Sequence, residues 1–228
     1  MRDLVDLARL LHHRYLRIFR SSMKFPSYSK GTSHRITGTG DWVRYASLAL
    51  ALEAIERENI PGSLAELGVW RGITSVFIHA QLPHRRLYLF DTFMGFPNGN
   101  GGNADHRFRN TNVEAVRRKI GDTANVYFRV GTFPETAQGL EAESFALVLL
   151  DVDKFEATLA GLEFFYPHVV PGGYLFIHDY NNSAESDHGV FRSVNLFLRD
   201  KPERLIEIPD TWGSVVFRKY YPQPVVEP

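Results

Sequence analysis

The chain has 228 residues, in which 26 basic residues balance 26 acidic ones and cysteine is absent. A neutral balance argues against a nucleic acid or an anionic membrane as the main partner, because both favour a basic excess. Without cysteine there are no disulfides, thiolate metal ligands or cysteine nucleophiles, and the composition is compatible with the cytoplasm, where we expect the protein. The length suits one α/β domain, which we expect over residues 1–228.

The first sixty residues predict a helical N-terminal extension or lid. In residues 1–20, leucines recur at helical spacing, and acidic side chains interrupt the apolar run that a signal peptide needs. The apolar face of this helix predicts packing on the domain or on a second subunit, and we expect a homodimer or a higher oligomer. Residues 27–40 are rich in Ser, Thr and Gly and predict a lid or binding loop, before a helix over residues 41–58.

From residue 63 onwards, short apolar segments alternate with helical patterns. The predicted strands are residues 63–69, 86–93, 126–130, 145–150, 174–177, 204–208 and 214–218. The predicted helices between them are residues 73–80, 112–120, 157–166 (ended by Pro167) and 190–199. This order predicts an α/β fold with a Rossmann-like, doubly wound, mostly parallel seven-stranded sheet. The last two strands follow each other directly, which predicts an antiparallel C-terminal hairpin.

Glycines and carboxylates follow the first two strands, where ligands bind in such sheets. Glu66, Gly68 and Gly72 lie at the turn from the first strand into a helix, and Asp91 ends the next strand. A dinucleotide site needs the spacing G-x-G-x-x-G, whereas this turn has E-x-G-x-x-x-G. A carboxylate there suits a cationic ligand with an amino acid portion, and Asp91 suits ribose hydroxyls. We therefore predict S-adenosylmethionine over NAD as the cofactor.

Two further residues, Thr92 and Gly131, line the expected cofactor edge, although a turn role explains Gly131 equally well. Residues that contact the acceptor are expected in three loops, residues 27–40, 94–110 and 181–189, because loop chemistry varies freely on a fixed scaffold.

Five motifs together resemble the macrocin O-methyltransferase family, which methylates sugar hydroxyls on macrolide and aminocoumarin antibiotics and related small molecules. They are LAELGVWRG from Leu64, LFDTFMGFP from Leu89, VGTFPET from Val130, LLDVDKFEATLAGLEFFYPHVVPGGY from Leu149 and HDY from His178. The resemblance covers about half of the chain and implies an S-adenosylmethionine-dependent O-methyltransferase with a small-molecule acceptor.

The resemblance also implies a divalent metal, usually magnesium. The family's carboxylate ligands correspond to Asp151, in a D-x-D motif with Asp153, and to an Asp-Asp pair that here reads His178-Asp179. The implied ligands are therefore Asp151, His178 and Asp179. Magnesium prefers oxygen ligands, and an imidazole ligand would favour manganese or another transition metal. For Asp153 we favour the N-cap of the following helix over a metal ligand.

The catalytic residues we expect are Asp151 and His178, because a sugar hydroxyl is a poor acid and needs a base or a metal. Three roles stay open for His178: metal ligand, general base of a metal-free enzyme, or structural hydrogen-bond partner. Two other functions also stay open. One is a non-catalytic binding protein that has lost its metal, and the other is an NAD-dependent or nucleotide-sugar oxidoreductase. An oxidoreductase of this kind would need a third glycine at the first turn and a Tyr-x-x-x-Lys-like pair, and neither is in place in the sequence.

Overall fold

The computed structural model describes residues 30–96, 107–182 and 187–220. The helix predicted over residues 1–20 lies outside the described residues, as do parts of all three predicted acceptor loops. Residues 35–228 form one compact unit, which contains the whole described sheet; residues 1–34 form another, of which only 30–34 are described. Among the described residues, no helix is long and apolar enough to span a membrane.

The core of the molecule is one seven-stranded sheet. Its strands are β1 (Ser63–Leu67), β2 (Leu87–Asp91), β3 (Val126–Val130), β4 (Phe145–Leu150), β5 (Val169–Ile177), β6 (Ile206–Ile208) and β7 (Ser214–Arg218). The strand order is β3-β2-β1-β4-β5-β7-β6. Strands β1 to β5 are parallel, and β7 runs antiparallel to both β5 and β6. The predicted fold class and the antiparallel C-terminal hairpin are confirmed.

Six α-helices surround or precede the sheet in the described residues. They are α1 (Lys30–Thr37), α2 (Trp42–Arg57), α3 (Ile73–Gln81), α4 (Val113–Ile120), α5 (Phe155–His168) and α6 (Gly189–Leu198). Two of them begin at side-chain caps: Asp41 Oδ1 accepts the Arg44 N–H at 3.2 Å, and Asn112 Oδ1 accepts the Ala115 N–H at 2.8 Å. These caps satisfy backbone donors that the first turn leaves without partners.

Three local predictions need correction. Residues 30–37 of the predicted loop form α1, because burial of Ile36 overrides the weak helix propensity of the surrounding Ser, Thr and Gly. Helix α5 continues through Pro167 to His168, since a proline in the last turn removes only one N–H donor. Asp153 does not cap α5: the N-cap position is Lys154, and no side chain caps the helix. Asp153 instead adopts φ +58° in the turn before the cap.

The strand order determines which edge of the sheet can bind a ligand. Strand β4 is buried along all six residues, as its continuous apolar sequence predicts for a strand covered on both faces. Strands β1 and β4 are neighbours, yet the chain leaves β1 towards β2 on one side and continues from β4 to β5 on the other. Their carboxyl ends therefore flank the switch in strand order, where doubly wound sheets bind their ligands.

Candidate active site

The turn after β1 passes unusually close to the turn after β4. Gly68 has φ +93°, and a Cβ at this position would lie 1.9 Å from the carbonyl oxygen of Asp151. Any side chain would collide with backbone there, so the approach of the two turns requires glycine. The Gly68 N–H donates to the carbonyl of Phe90 over 2.9 Å. The turn is therefore fixed between the ends of β2 and β4.

Asp91 organises this turn with its side chain. Its Oδ2 accepts the N–H groups of Val69 and Trp70 at 2.8 and 2.7 Å, and its Oδ1 accepts the N–H of Phe93 at 2.7 Å. A carboxylate offers about four acceptor positions, so about one is left for a ligand hydroxyl. The sequence pointed to Asp91 as a ribose partner but not to this support of the β1 turn.

Glu66 lies inside the protein and not on an open surface. It is 1% exposed, and its carboxylate accepts a hydrogen bond from the hydroxyl of Ser75 on α3. Burial raises the pKa of Glu66 to about 8, although the Ser75 hydrogen bond opposes the shift. The carboxyl is therefore mostly protonated at neutral pH. Its direct contact with a cofactor stays a prediction.

The other expected cofactor residues have clear backbone roles in this structure. Gly72 has φ +70°, and a Cβ there would lie 2.5 Å from a methyl of Val116, so helix packing alone requires glycine. The Thr92 hydroxyl donates to the carbonyl of Gly95 at 2.6 Å and shapes the turn after β2. Gly131 has φ +137°, and its N–H donates to the carbonyl of Asp91 at 3.0 Å. All three lie at the carboxyl edge.

Asp151, His178 and Asp179 meet after β4 and β5. One ligand atom from each lies within 4.8 Å of the other two. His178 Nδ1 is 3.1 Å from Asp151 Oδ1 and 2.8 Å from Asp179 Oδ2. Ionised carboxylates only accept hydrogen bonds, so Nδ1 carries the hydrogen. Nε2 is buried and has no hydrogen-bond partner in the part of the chain that the structure describes, so His178 contacts this cluster through Nδ1.

Arg44 completes the cluster, and sequence reasoning missed it. Its Nη2 donates to Asp151 Oδ2 over 2.6 Å, across 107 positions of sequence. The arginine side chain is 12% exposed and that of Asp151 is 23% exposed, so water screens this pair weakly. One signal was present in the sequence: Arg44 is the only charged residue in the apolar stretch WVRYASLALAL that begins α2.

The charges in the cluster stabilise one another. Burial would raise the pKa of Asp151, but His178 and Arg44 outweigh it and hold that pKa well below its usual value. Burial would lower the pKa of His178, but the charge and hydrogen bond of Asp151 raise it to about 10. Arg44 also has a raised pKa, because Asp151 outweighs the opposite effect of burial. Near neutral pH the cluster therefore contains a carboxylate between two protein cations.

This arrangement does not fit the magnesium site that the resemblance implied. The spacing of the ligand atoms would admit a cation, but the ligand chemistry disagrees. The His178 nitrogen that faces the carboxylates is a hydrogen-bond donor, and Arg44 binds the other oxygen of Asp151. Magnesium requires oxygen ligands in a near-octahedral arrangement and rarely accepts an imidazole. The residues present therefore do not fit the implied magnesium ion.

A row of aromatic rings lies along the loops next to this edge. Trp70 and Phe108 pack edge to face with centroids 5.4 Å apart, and Phe108 and Phe96 do the same at 5.4 Å. The Nζ of Lys154, which follows the D-x-D motif, lies 5.0 Å from the Phe96 ring centroid. Arg71 lies over the Trp70 ring at 4.6 Å. Binding pockets for small molecules are lined by such aromatic and apolar side chains.

The sheet order, the glycine turn after β1 and the carboxylate that ends β2 define a Rossmann-like protein with its ligand site at the strand switch. The family model described as macrocin-O-methyltransferase matches residues 30–218. The chain belongs to the macrocin-O-methyltransferase family.

The individual relatives are named as O-methyltransferases. The chain is 31% identical over 163 residues to the 8-demethyl-8-(2,3-dimethoxy-alpha-L-rhamnosyl)-tetracenomycin-C 4'-O-methyltransferase of Streptomyces olivaceus, covering 63% of this chain and 62% of the relative. It is 28% identical over 192 residues to the demethyldecarbamoylnovobiocin O-methyltransferase of Streptomyces niveus, covering 68% and 73%. The solved structure of the O-methyltransferase NovP is similar with a TM-score of 0.64 and 26% identity, over 79% and 81% of the two chains.

Proposed function

We propose that this protein is an S-adenosylmethionine-dependent O-methyltransferase that methylates a hydroxyl group of a sugar or a sugar-bearing natural product. One observation carries the proposal: the turn held by Asp91 touches the backbone of Asp151 at the strand switch. A site for an adenosine-containing cofactor and a polar cluster for an acceptor hydroxyl are thus adjacent. Membership of the macrocin-O-methyltransferase family supports this chemistry.

The proposed cofactor edge consists of Glu66, Gly68, Gly72, Asp91, Thr92 and Gly131. Asp91 keeps about one acceptor position for a ribose hydroxyl beyond the three N–H groups that it already binds. Gly68 and Gly72 let the turn pack directly against Asp151 and Val116, and this packing sets the position of the backbone that the cofactor would meet. When bound, S-adenosylmethionine supplies an electrophilic methyl group on a positively charged sulfur.

The chain's contribution to catalysis is mainly positioning. Holding the acceptor hydroxyl in line with the transferred methyl can supply roughly 7–11 kcal/mol of the barrier reduction. Asp151 is the most exposed of the three residues in the cluster and is the group proposed to orient the hydroxyl. Because its low pKa makes it a weak base, it would take up the hydroxyl proton only as the new O–CH₃ bond forms. His178 donates through Nδ1 and is protonated near neutral pH, which favours its structural role over that of a general base.

The acceptor side of the site is proposed to include the aromatic row of Trp70, Phe96 and Phe108. Its rings and the neighbouring Lys154 suit a ligand with apolar faces and polar edges, as a sugar or a glycosylated polyketide has. The chain covers 62% of the length of the Streptomyces olivaceus relative. According to its name, that relative acts on a rhamnosyl group. A small-molecule acceptor is therefore proposed here as well.

Methyl transfer and cofactor binding test the proposal separately. The purified protein is titrated with S-adenosylhomocysteine by calorimetry, and is then incubated with methyl-labelled S-adenosylmethionine and a panel of rhamnosides and glycosylated polyketides. We expect binding of S-adenosylhomocysteine and addition of one methyl group to at least one acceptor, detected by mass spectrometry. Asp151→Asn should bind S-adenosylhomocysteine normally and lose transfer. Absence of cofactor binding would rule out the proposed function.

The homodimer or higher oligomer predicted from residues 1–20 and the cytoplasmic location stay predictions. Light scattering on the full chain at micromolar concentration measures the oligomeric state. A monomer under those conditions would contradict the predicted role of the N-terminal helix.

A further inference from the structure

We propose that Arg44 and His178 take the place of the divalent metal in this protein, which then performs methyl transfer without a metal ion. This inference rests on the proposed function, since it concerns how the same site handles the acceptor hydroxyl. It departs from what the resemblance to the family implies. The hydrogen-bond contacts of Asp151 and Asp179 support the inference.

Each carboxylate oxygen in the cluster already accepts a hydrogen bond from the protein. Asp151 Oδ2 binds Arg44 Nη2 at 2.6 Å, and its Oδ1 lies 3.1 Å from His178 Nδ1. Asp179 Oδ2 lies 2.8 Å from the same Nδ1, and its Oδ1 accepts from the amide of Asn182 at 2.8 Å. Each oxygen keeps a second lone pair, but a cation that bridges the two carboxylates would lie beside the Nδ1–H that points at both of them.

Arg44 is held firmly in this place. Arg44 lies in the first turn of α2, which Asp41 caps through its Oδ1. The Oδ2 of Asp41 accepts the N–H of Thr211 at 3.0 Å. The cap thus fixes the start of α2 to the loop between β6 and β7. A guanidinium is charged at any pH that a protein tolerates, so Arg44 supplies a permanent positive charge to Asp151.

His178 removes an oxygen ligand at the position where the family has a carboxylate. Its Nδ1 lies between both remaining carboxylates and carries a hydrogen, so no lone pair of that nitrogen faces them. Arg44 therefore places a permanent positive charge, and His178 an N–H donor, where a divalent ion would otherwise bind the carboxylates. Both act as positioning residues, because they fix the rotamer and the ionised state of Asp151, which contacts the acceptor.

Metal binding is measured directly with manganese as the probe. The protein is treated with a chelator, dialysed and titrated with Mn²⁺, and free Mn²⁺ is followed by electron paramagnetic resonance. We expect no stoichiometric binding to the wild type. The double variant R44M/H178D restores the Asp-Asp pair and removes the guanidinium, and should bind Mn²⁺ at least tenfold more tightly. Arg57→Met, a change of an exposed arginine on the same helix, is the matched control and should behave as the wild type.

Activity of the chelator-treated protein gives a second readout. Transfer should continue in the presence of chelator, and Arg44→Lys, which keeps a cation, should retain more of it than Arg44→Met. Stoichiometric Mn²⁺ binding by the wild type would overturn the inference, as would a folded R44M/H178D protein that binds no Mn²⁺. If the double variant does not fold, the wild-type titration decides alone. Failure to bind S-adenosylhomocysteine would instead reject the proposed function, so the two failures are distinguishable.

Discussion

The guanidinium of Arg44 donates to the carboxylate of Asp151 over 2.6 Å, although 107 residues separate them in sequence. The contact joins the first turn of α2 to the residue after β4. It places a permanent charge beside the carboxylate that is proposed to orient the acceptor. The same carboxylate also contacts His178, so stability and chemistry at this edge depend on one set of charges.

Arg44→Met should destabilise the fold, because it leaves the low-pKa carboxylate of Asp151 without one of its two cations. Breaking a buried ion pair costs about 3–5 kcal/mol, and partial exposure of Asp151 places the expected loss near 3 kcal/mol. Urea unfolding measures it. Arg57→Met removes an exposed pair with Glu58 and should cost under about 1 kcal/mol. Equal losses in the two variants would contradict this account.

Glu66→Gln should flatten the pH dependence of stability. The pKa of Glu66 is raised from 4.5 to about 8 in the folded state, so the stability that its protonated form contributes is complete below about pH 4.5. That contribution is lost as the pH rises through 8, by up to about 1.4 kcal/mol per pH unit. Glutamine does not ionise, and it keeps an oxygen for the Ser75 hydroxyl.

The measurement is the free energy of unfolding between pH 5 and pH 9, taken as roughly the interval that the shift spans. The wild type should lose stability relative to Glu66→Gln across it. Glu114→Gln, a change of an exposed carboxylate on α4, serves as the control and should follow the wild type. Parallel curves for the wild type and Glu66→Gln would show that Glu66 stays ionised.

Asp91→Ala should weaken S-adenosylhomocysteine binding by at least tenfold. The change removes the proposed ribose contact and also the acceptor for the Val69 and Trp70 N–H groups. Loss of one hydrogen bond to a charged group corresponds to about 1.5–3 kcal/mol. Calorimetry measures the affinity, with Asp122→Ala, another Asp that accepts a backbone N–H, as the control. Wild-type affinity in Asp91→Ala would refute the assignment.

Gly72→Ala should destabilise more than Gly139→Ala, although both glycines have positive φ, +70° and +83°. Both variants place an alanine at a positive φ, which costs about 1–2 kcal/mol in the left-handed region. Only at Gly72 does the new Cβ meet a neighbour, Val116 at 2.5 Å, which adds about 1–3 kcal/mol of overpacking. Adding Val116→Ala should cancel part of this, so the double variant should be less destabilised than the sum of the single ones. Purely additive effects would mean that the contact costs nothing.

The sequence by itself determined the sheet and its ligand edge. The strands predicted over residues 126–130, 145–150 and 214–218 have the observed bounds. Alternating and continuous apolar patterns are local, and they follow directly from which faces of a strand are buried in the sheet. Gly68 and Asp91 were found from spacing, since a turn after a parallel strand has few solutions. Helix α1 was missed because burial of Ile36, and not local propensity, stabilises it.

Only the tertiary structure showed which residues form the polar cluster. The sequence left His178 as a metal ligand, a general base or a structural residue, and it gave Arg44 no role. Their charges interact through space across two strand ends and a preceding helix, and such contacts between distant positions leave no periodic signal in one sequence. The low dielectric of the buried edge then makes these contacts strong enough to fix the ionised state of Asp151.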